Sequence, residues 1–114
     1  MTTKKIWDLW ELQAIKYLKQ KWYDIVETNF RFSKVWEIDI VAKIWEITVF
    51  VEVKYRKNDR FWYWEESITY AKRQKLRKTI NYYVMVKKLD YEKIRFDVIS
   101  ILGDKISHYE GVEL

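Results

Sequence analysis

Apolar and polar positions recur along this chain with two periods. Between residues 6 and 20, Ile6, Leu9, Ala14, Ile15 and Leu18 follow three- and four-residue steps, the repeat of one helix face. Lys16, Lys19 and Lys21 load its last turns, where cations suit the negative end of the helix dipole. Residues 23–32, 36–43 and 46–56 read as three strands, the third rich in Val, Ile, Phe and Tyr. A polar and aromatic loop is expected over 57–66, then a second helix over 68–86, basic on one side. Two more strands, 93–102 and 105–109, flank Gly103-Asp104. The order αβββαββ predicts an α/β fold, a sheet flanked by helices. No linker, repeat or low-complexity stretch interrupts it, so residues 1–114 are expected to form one domain.

The second and third strands carry the chemistry. Side chains alternate between the two faces of a strand. In residues 47–56, Ile47, Val49, Val51, Val53 and Tyr55 share one face, which leaves Glu52 and Lys54 side by side on the other. In residues 37–42, Ile38, Ile40 and Ala42 are expected on one face, with Glu37, Asp39 and Val41 opposite. If Trp45-Glu46 is a two-residue hairpin loop, Ile44 faces Ile47 and Asp39 falls opposite Glu52, with Lys54 diagonal to it. Diagonal neighbours lie roughly 7–8 Å apart, so three charged groups share one patch. A surface ion pair is the plain alternative. Against it, Glu52 and Lys54 interrupt an apolar strand that reads as central, where charges persist only when paired. Two facing carboxylates repel unless a cation joins them, and a hard divalent ion such as Mg²⁺ suits such oxygens. Glu11, with Ile15 and Leu18 four and seven residues on, borders the apolar stripe of the first helix and can point at the same patch.

Composition narrows the classes. With no Cys and one His (His108), the chain has no disulfide framework, thiol nucleophile, thiolate zinc site or multi-His metal site. His108 reads as a strand-edge residue. No apolar run reaches membrane-span length, and no signal-peptide core follows Met1, so a cytoplasmic protein with no membrane partner is expected. The balance of 22 basic and 17 acidic residues, net +5, permits an anionic partner. Between Lys72 and Lys88 stand Lys72, Arg73, Lys75, Arg77, Lys78, Lys87 and Lys88 with no acidic residue. Together with Arg56 they fit phosphate contacts; Arg56, Lys72, Arg73 and Lys75 are the candidates for binding nucleic acid. No base-reading motif is visible, so backbone- or structure-directed binding is expected.

Asp39, twelve residues, then Glu52-Val53-Lys54 is similar to the PD-(D/E)xK nuclease motif. Trp10-Glu11 with Ala14, Trp22-Tyr23, Asn29-Phe30-Arg31, Trp36-Glu37-Ile38-Asp39, Phe50-Val51-Glu52-Val53-Lys54 with Arg56, Lys72, and Arg95-Phe96-Asp97-Val98 together resemble the YraN-like family. The resemblance implies a restriction-endonuclease-like mixed β-sheet, related to Holliday-junction resolvases and tRNA-splicing endonuclease domains. It implies Asp39 and Glu52 as metal ligands, the Val53 carbonyl as a further ligand, Glu11 as a supporting carboxylate and Lys54 as the catalytic lysine. Glu37 also matches the family motif. The expected function is Mg²⁺- or Mn²⁺-dependent phosphodiester hydrolysis on DNA, branched DNA included. A homodimer would suit cutting two strands, although no interface is legible. The rival is a non-catalytic nucleic-acid-binding module, with Arg60-Phe61-Trp62-Tyr63-Trp64 as a stacking platform.

Seven Trp against two Gly is the compositional anomaly. Average usage gives about 8 Gly in this length. Trp22 follows a helix end and Trp45 opens a tight hairpin, both places that favour glycine. Trp7, Trp10, Trp36, Trp62 and Trp64 also stand where the resembled family tends to have Gly. UGA differs from the glycine codon GGA by one base, and bacterial lineages differ in reading UGA as Gly or Trp. We expect glycine at most or all seven positions, with deliberate Gly→Trp substitution as the rival account.

Overall fold

In the computed structural model, residues 3–32, 34, 36–56 and 69–114 are described; for residues 3–8 and 56 the description stops at the backbone. Helix α1 (Thr3–Gln20) leads into strands β1 (Asp24–Phe32), β2 (Trp36–Ile44) and β3 (Ile47–Arg56). Helix α2 (Tyr70–Val86) and a one-turn 3-10 helix (Tyr91–Lys93) precede β4 (Ile94–Leu102) and β5 (Lys105–Tyr109). The expected order αβββαββ therefore holds. The loop and aromatic segment expected between residues 57 and 66 lie outside the described residues.

The strands form one mixed sheet in the order β1-β2-β3-β4-β5. All neighbours are antiparallel except β3 and β4. Parallel neighbours need a crossover, and α2 provides it. Two apolar layers result. On one face Ala14 and Leu18 of α1 pack on Ile40, Ala42, Val49, Val51, Val53, Ile99 and Ile101. On the other, Leu76, Ile80, Tyr83 and Val84 of α2 pack on Ile38, Val41, Phe50, Phe96 and Val98. Strand β3 is thus covered on both sides, which brings its polar residues into the interior. Among the described residues no helix is long and apolar enough to cross a membrane.

Two details depart from the period-based expectation. Ala14, Ile15 and Leu18 pack on the sheet as expected, but Leu9 is exposed, and Trp10 and Tyr17 widen the stripe on that side of α1. In β2, Ile38 does not share a face with Ile40 and Ala42; it packs with Val41 on the α2 side. Alternation breaks between Ile38 and Ile40, at Asp39, for a reason that lies in the site.

Candidate metal centre

The β2–β3 hairpin has the register read from its turn. Ile44 pairs with Ile47, and the ladder continues through Ile40 opposite Val51. At the next level backbone pairing gives way to a side chain. The Asp39 carboxylate accepts the Val53 backbone N–H at 2.8 Å. That N–H would otherwise point from β3 at an absent strand partner, so Asp39 caps the opening between the two strands. Strand β1 is irregular at the same level: Asn29, between the paired Thr28 and Phe30, has φ 54°. Asn tolerates this left-handed conformation better than most residues.

Three carboxylates meet at the opening. Oxygens of Glu11 from α1 and of Glu37 and Asp39 from β2 lie within 4.8 Å of one another. With its amide nitrogen turned toward them, Asn29 donates to Glu11 Oε1 at 2.9 Å and to Glu37 Oε1 at 2.5 Å. Arg31, paired with Glu37 across the strands, forms an ion pair with it at 2.8 Å. A cleft of 280 Å³ is lined by Arg31, Lys34, Trp36, Glu37, Asp39 and Glu52. Lys54 Nζ sits 3.5 Å from Glu52 Oε1. The other oxygen, Glu52 Oε2, is buried with no hydrogen-bond partner among the described residues, as is Trp36 Nε1.

Burial dominates the electrostatics. It pushes Asp39 up to about 7, helped by the charges of Glu11 and Glu37, while the Val53 N–H and Lys54 pull the other way. Burial, then the charge of Asp39, pushes Glu52 up to about 8, against the pull of Lys54. Crowded hard oxygen donors, with Asp39 and Glu52 reluctant to ionise in their buried places, fit a divalent ion such as Mg²⁺ or Mn²⁺.

The structure therefore brings Asp39, Glu52, Val53, Lys54 and Glu11 together, with Val53 joined to Asp39 through its N–H. Lys72, Arg73 and Lys75 stand in the first turns of α2, on the opposite face of the sheet from Glu11; Lys72 and Arg73 are half-buried and Lys75 is exposed. Thr69 caps that helix by accepting the Lys72 N–H at 3.3 Å. Arg56 ends β3, and its side chain lies outside the described residues. Sequence reasoning gave no role to Asn29, Arg31 or Lys34. The legible signal was an Asn inside a strand, followed two residues later by an Arg opposite Glu37.

The chain is thus a mixed α/β protein with a carboxylate-lined cleft where its central hairpin opens. It belongs to the Uncharacterised protein family UPF0102, whose profile matches residues 10–101, a span holding Glu11, Glu37, Asp39, Glu52 and Lys54. A UPF0102 protein of Thermodesulfovibrio yellowstonii is 47% identical over 101 residues, covering 89% of this chain and 88% of its own. One from Clostridioides difficile is 41% identical over 110 residues, covering 95% and 96%. One from Fusobacterium nucleatum is 38% identical over 112 residues, covering 98% and 93%.

Proposed function

We propose that this chain is a metal-dependent endonuclease that hydrolyses phosphodiester bonds, with DNA as its substrate and Mg²⁺ or Mn²⁺ as its ion. The carrying observation is the convergence of Glu11, Glu37 and Asp39 within 4.8 Å, beside a Glu52 whose inner oxygen has no partner. Asn29 and Arg31 offset part of the cluster's negative charge; a divalent cation would offset the rest. Asp39, Glu52 and Glu11 would hold the ion, with Glu37 beside them. When bound, it would polarise a phosphate oxygen and lower the pKa of its water.

The chain's own residues do the rest. Asp39 is fixed by the Val53 N–H and Lys54 by Glu52, so both keep their places as substrate enters. The Lys54 ammonium stabilises negative charge developing on the phosphate or orients the attacking water. Arg31 and Lys34 line the cleft and hold neighbouring phosphates. Arg56, Lys72, Arg73 and Lys75 add sequence-independent attraction that weakens as salt rises.

The test is Mg²⁺-dependent cleavage of branched, duplex and single-stranded DNA and of RNA. Asp39→Ala and Lys54→Ala should each lower the rate on the preferred substrate about a hundredfold or more. Equal cleavage by the wild type and both variants would overturn the reading. Salt-sensitive binding without turnover would return the non-catalytic module. Against that rival stands the carboxylate cleft, which repels phosphate when it holds no cation.

A further inference from the structure

A second concavity opens beside the acid cleft, on the α2 side of the sheet. It is an open groove of 550 Å³ between α2 and the end of β1, within the roughly 300–1,000 Å³ typical of ligand sites. Phe32 and Tyr82 form its aromatic wall, stacked at 4.2 Å with an 11° angle between rings. Tyr91 is exposed at the rim. Lys78, Lys88 and Asn81 supply polar groups, and no acidic side chain stands among the described lining residues. The nearby Asp90 is engaged in capping the next turn, where it accepts the Glu92 N–H at 2.9 Å.

The two concavities are neighbours through β1 and β2. Phe32 pairs with Trp36, which lines the cleft, and Arg31 pairs with Glu37. Strand β1 is at the edge of the described sheet. The step from cleft to groove runs over that edge, from Trp36 to its strand partner Phe32. We propose that the groove binds unpaired bases of a single-stranded polynucleotide segment next to the phosphodiester held in the cleft. Aromatic planes accept any base face, and lysines at the rim meet the flanking phosphates. A duplex keeps its bases stacked inside and presents none of their faces to such a wall. The position of the scissile bond rests on the nuclease reading; the binding of bases does not.

The test is therefore a binding measurement in EDTA, free of cleavage. Fluorescence anisotropy compares a labelled oligothymidylate with a blunt duplex of equal length on the full chain. The wild type should bind the single strand more tightly. Lys78→Glu combined with Lys88→Glu, and separately Tyr91→Ala, should each weaken that binding about tenfold or more. Lys105→Glu, on β5 at the far edge, should change it less than about twofold, no more than one surface charge alters long-range attraction. Thermal melting by circular dichroism checks that each variant is folded. Asp39→Asn should abolish cleavage and retain oligothymidylate binding, so the two proposals fail separately. Unchanged affinity in the folded Lys78/Lys88 variant, or preference for the duplex, would overturn the groove proposal. Weak binding of oligothymidylate together with tight binding of an acidic peptide would overturn it in favour of a protein partner.

Discussion

Trp22 and Trp45 occupy backbone positions built for glycine. Trp22 ends α1 in a Schellman motif: its N–H donates to the Lys19 carbonyl at 3.1 Å, and the Tyr23 N–H donates to the Leu18 carbonyl at 3.0 Å. Its φ is 72° and the residue is 87% exposed. Trp45 has φ 54° and is 90% exposed. The chain supplies its own comparison, because the β4–β5 hairpin has the same two-residue form and places Gly103, φ 61°, where β2–β3 places Trp45. An exposed indole gains no packing to offset a left-handed backbone that costs roughly 1–2 kcal/mol. Trp22→Gly and Trp45→Gly should each raise stability by about 1 kcal/mol in urea unfolding, and no gain at either would contradict the glycine account. The codons decide its origin: UGG makes the tryptophans genuine, UGA supports glycine. Trp10 and Trp36 differ. Neither has positive φ, Trp10 stacks on Tyr55 at 3.7 Å, and Trp36 packs against the α2-side core. Trp62 and Trp64 lie outside the described residues, as does the side chain of Trp7.

At the scale of elements, the opening between β2 and β3 makes stability depend on pH. In the unfolded chain Asp39 and Glu52 lose their protons near 4; in the folded protein burial holds them to about 7 and about 8. Between those limits the folded state binds more protons, so their contribution to stability falls as pH rises and levels off above about 8. In EDTA, Asp39→Asn and Glu52→Gln should match the wild type near pH 4 and melt higher than it at pH 8. The gain should be about 4–8 °C for each kcal/mol of relieved burial. Added Mg²⁺ should raise the wild-type melting temperature at pH 8 and leave Asp39→Asn little changed. Variants that melt lower than wild type at pH 8 in EDTA would contradict this account of the opening. The register that creates it was legible from the turn and the period-2 pattern. The break at Asp39 was not, because strict alternation assumes that the backbone ladder continues.

Across the whole molecule, a second buried charge is held in the opposite way. Asp97 is 0% exposed on β4. Its carboxylate accepts bonds from Arg95 at 2.8 Å and from the Gly111 N–H at 3.0 Å, and lies 2.7 Å from His108 Nε2 on β5. His108 also meets Tyr17 of α1 at 3.1 Å, and Arg95 donates to Tyr23 at 2.7 Å. The network ties α1, β4, β5 and the C-terminal segment together, a role that the reading of His108 as an edge residue left out. Burial alone would raise Asp97, but these hydrogen bonds overcome it and hold the group below its usual value. Its stabilisation is therefore present above about pH 4 and is lost as pH falls through the depressed value, the reverse of Asp39 and Glu52. Asp97→Ala strands the Arg95 charge and should cost roughly 3–5 kcal/mol in chemical unfolding. A loss below about 1 kcal/mol, the level of an exposed ion pair, would show that the network carries little.

The sequence by itself determined the elements, their order, the hairpin register and the grouping of Asp39, Glu52 and Lys54, because period and turn chemistry are local and act over a few residues. It also marked Trp22 and Trp45 as misplaced, since a left-handed backbone is a local demand. The sequence offered Glu11 as a further carboxylate at this patch; only the tertiary structure decided that Glu37 closes the cluster with it and Asn29 between them, that Asp39 takes the Val53 N–H in place of a backbone partner, and that an aromatic groove adjoins the cleft. Those outcomes depend on how two helices and an edge strand meet around a twisted sheet, and no spacing along one strand encodes a distance between elements far apart in the chain.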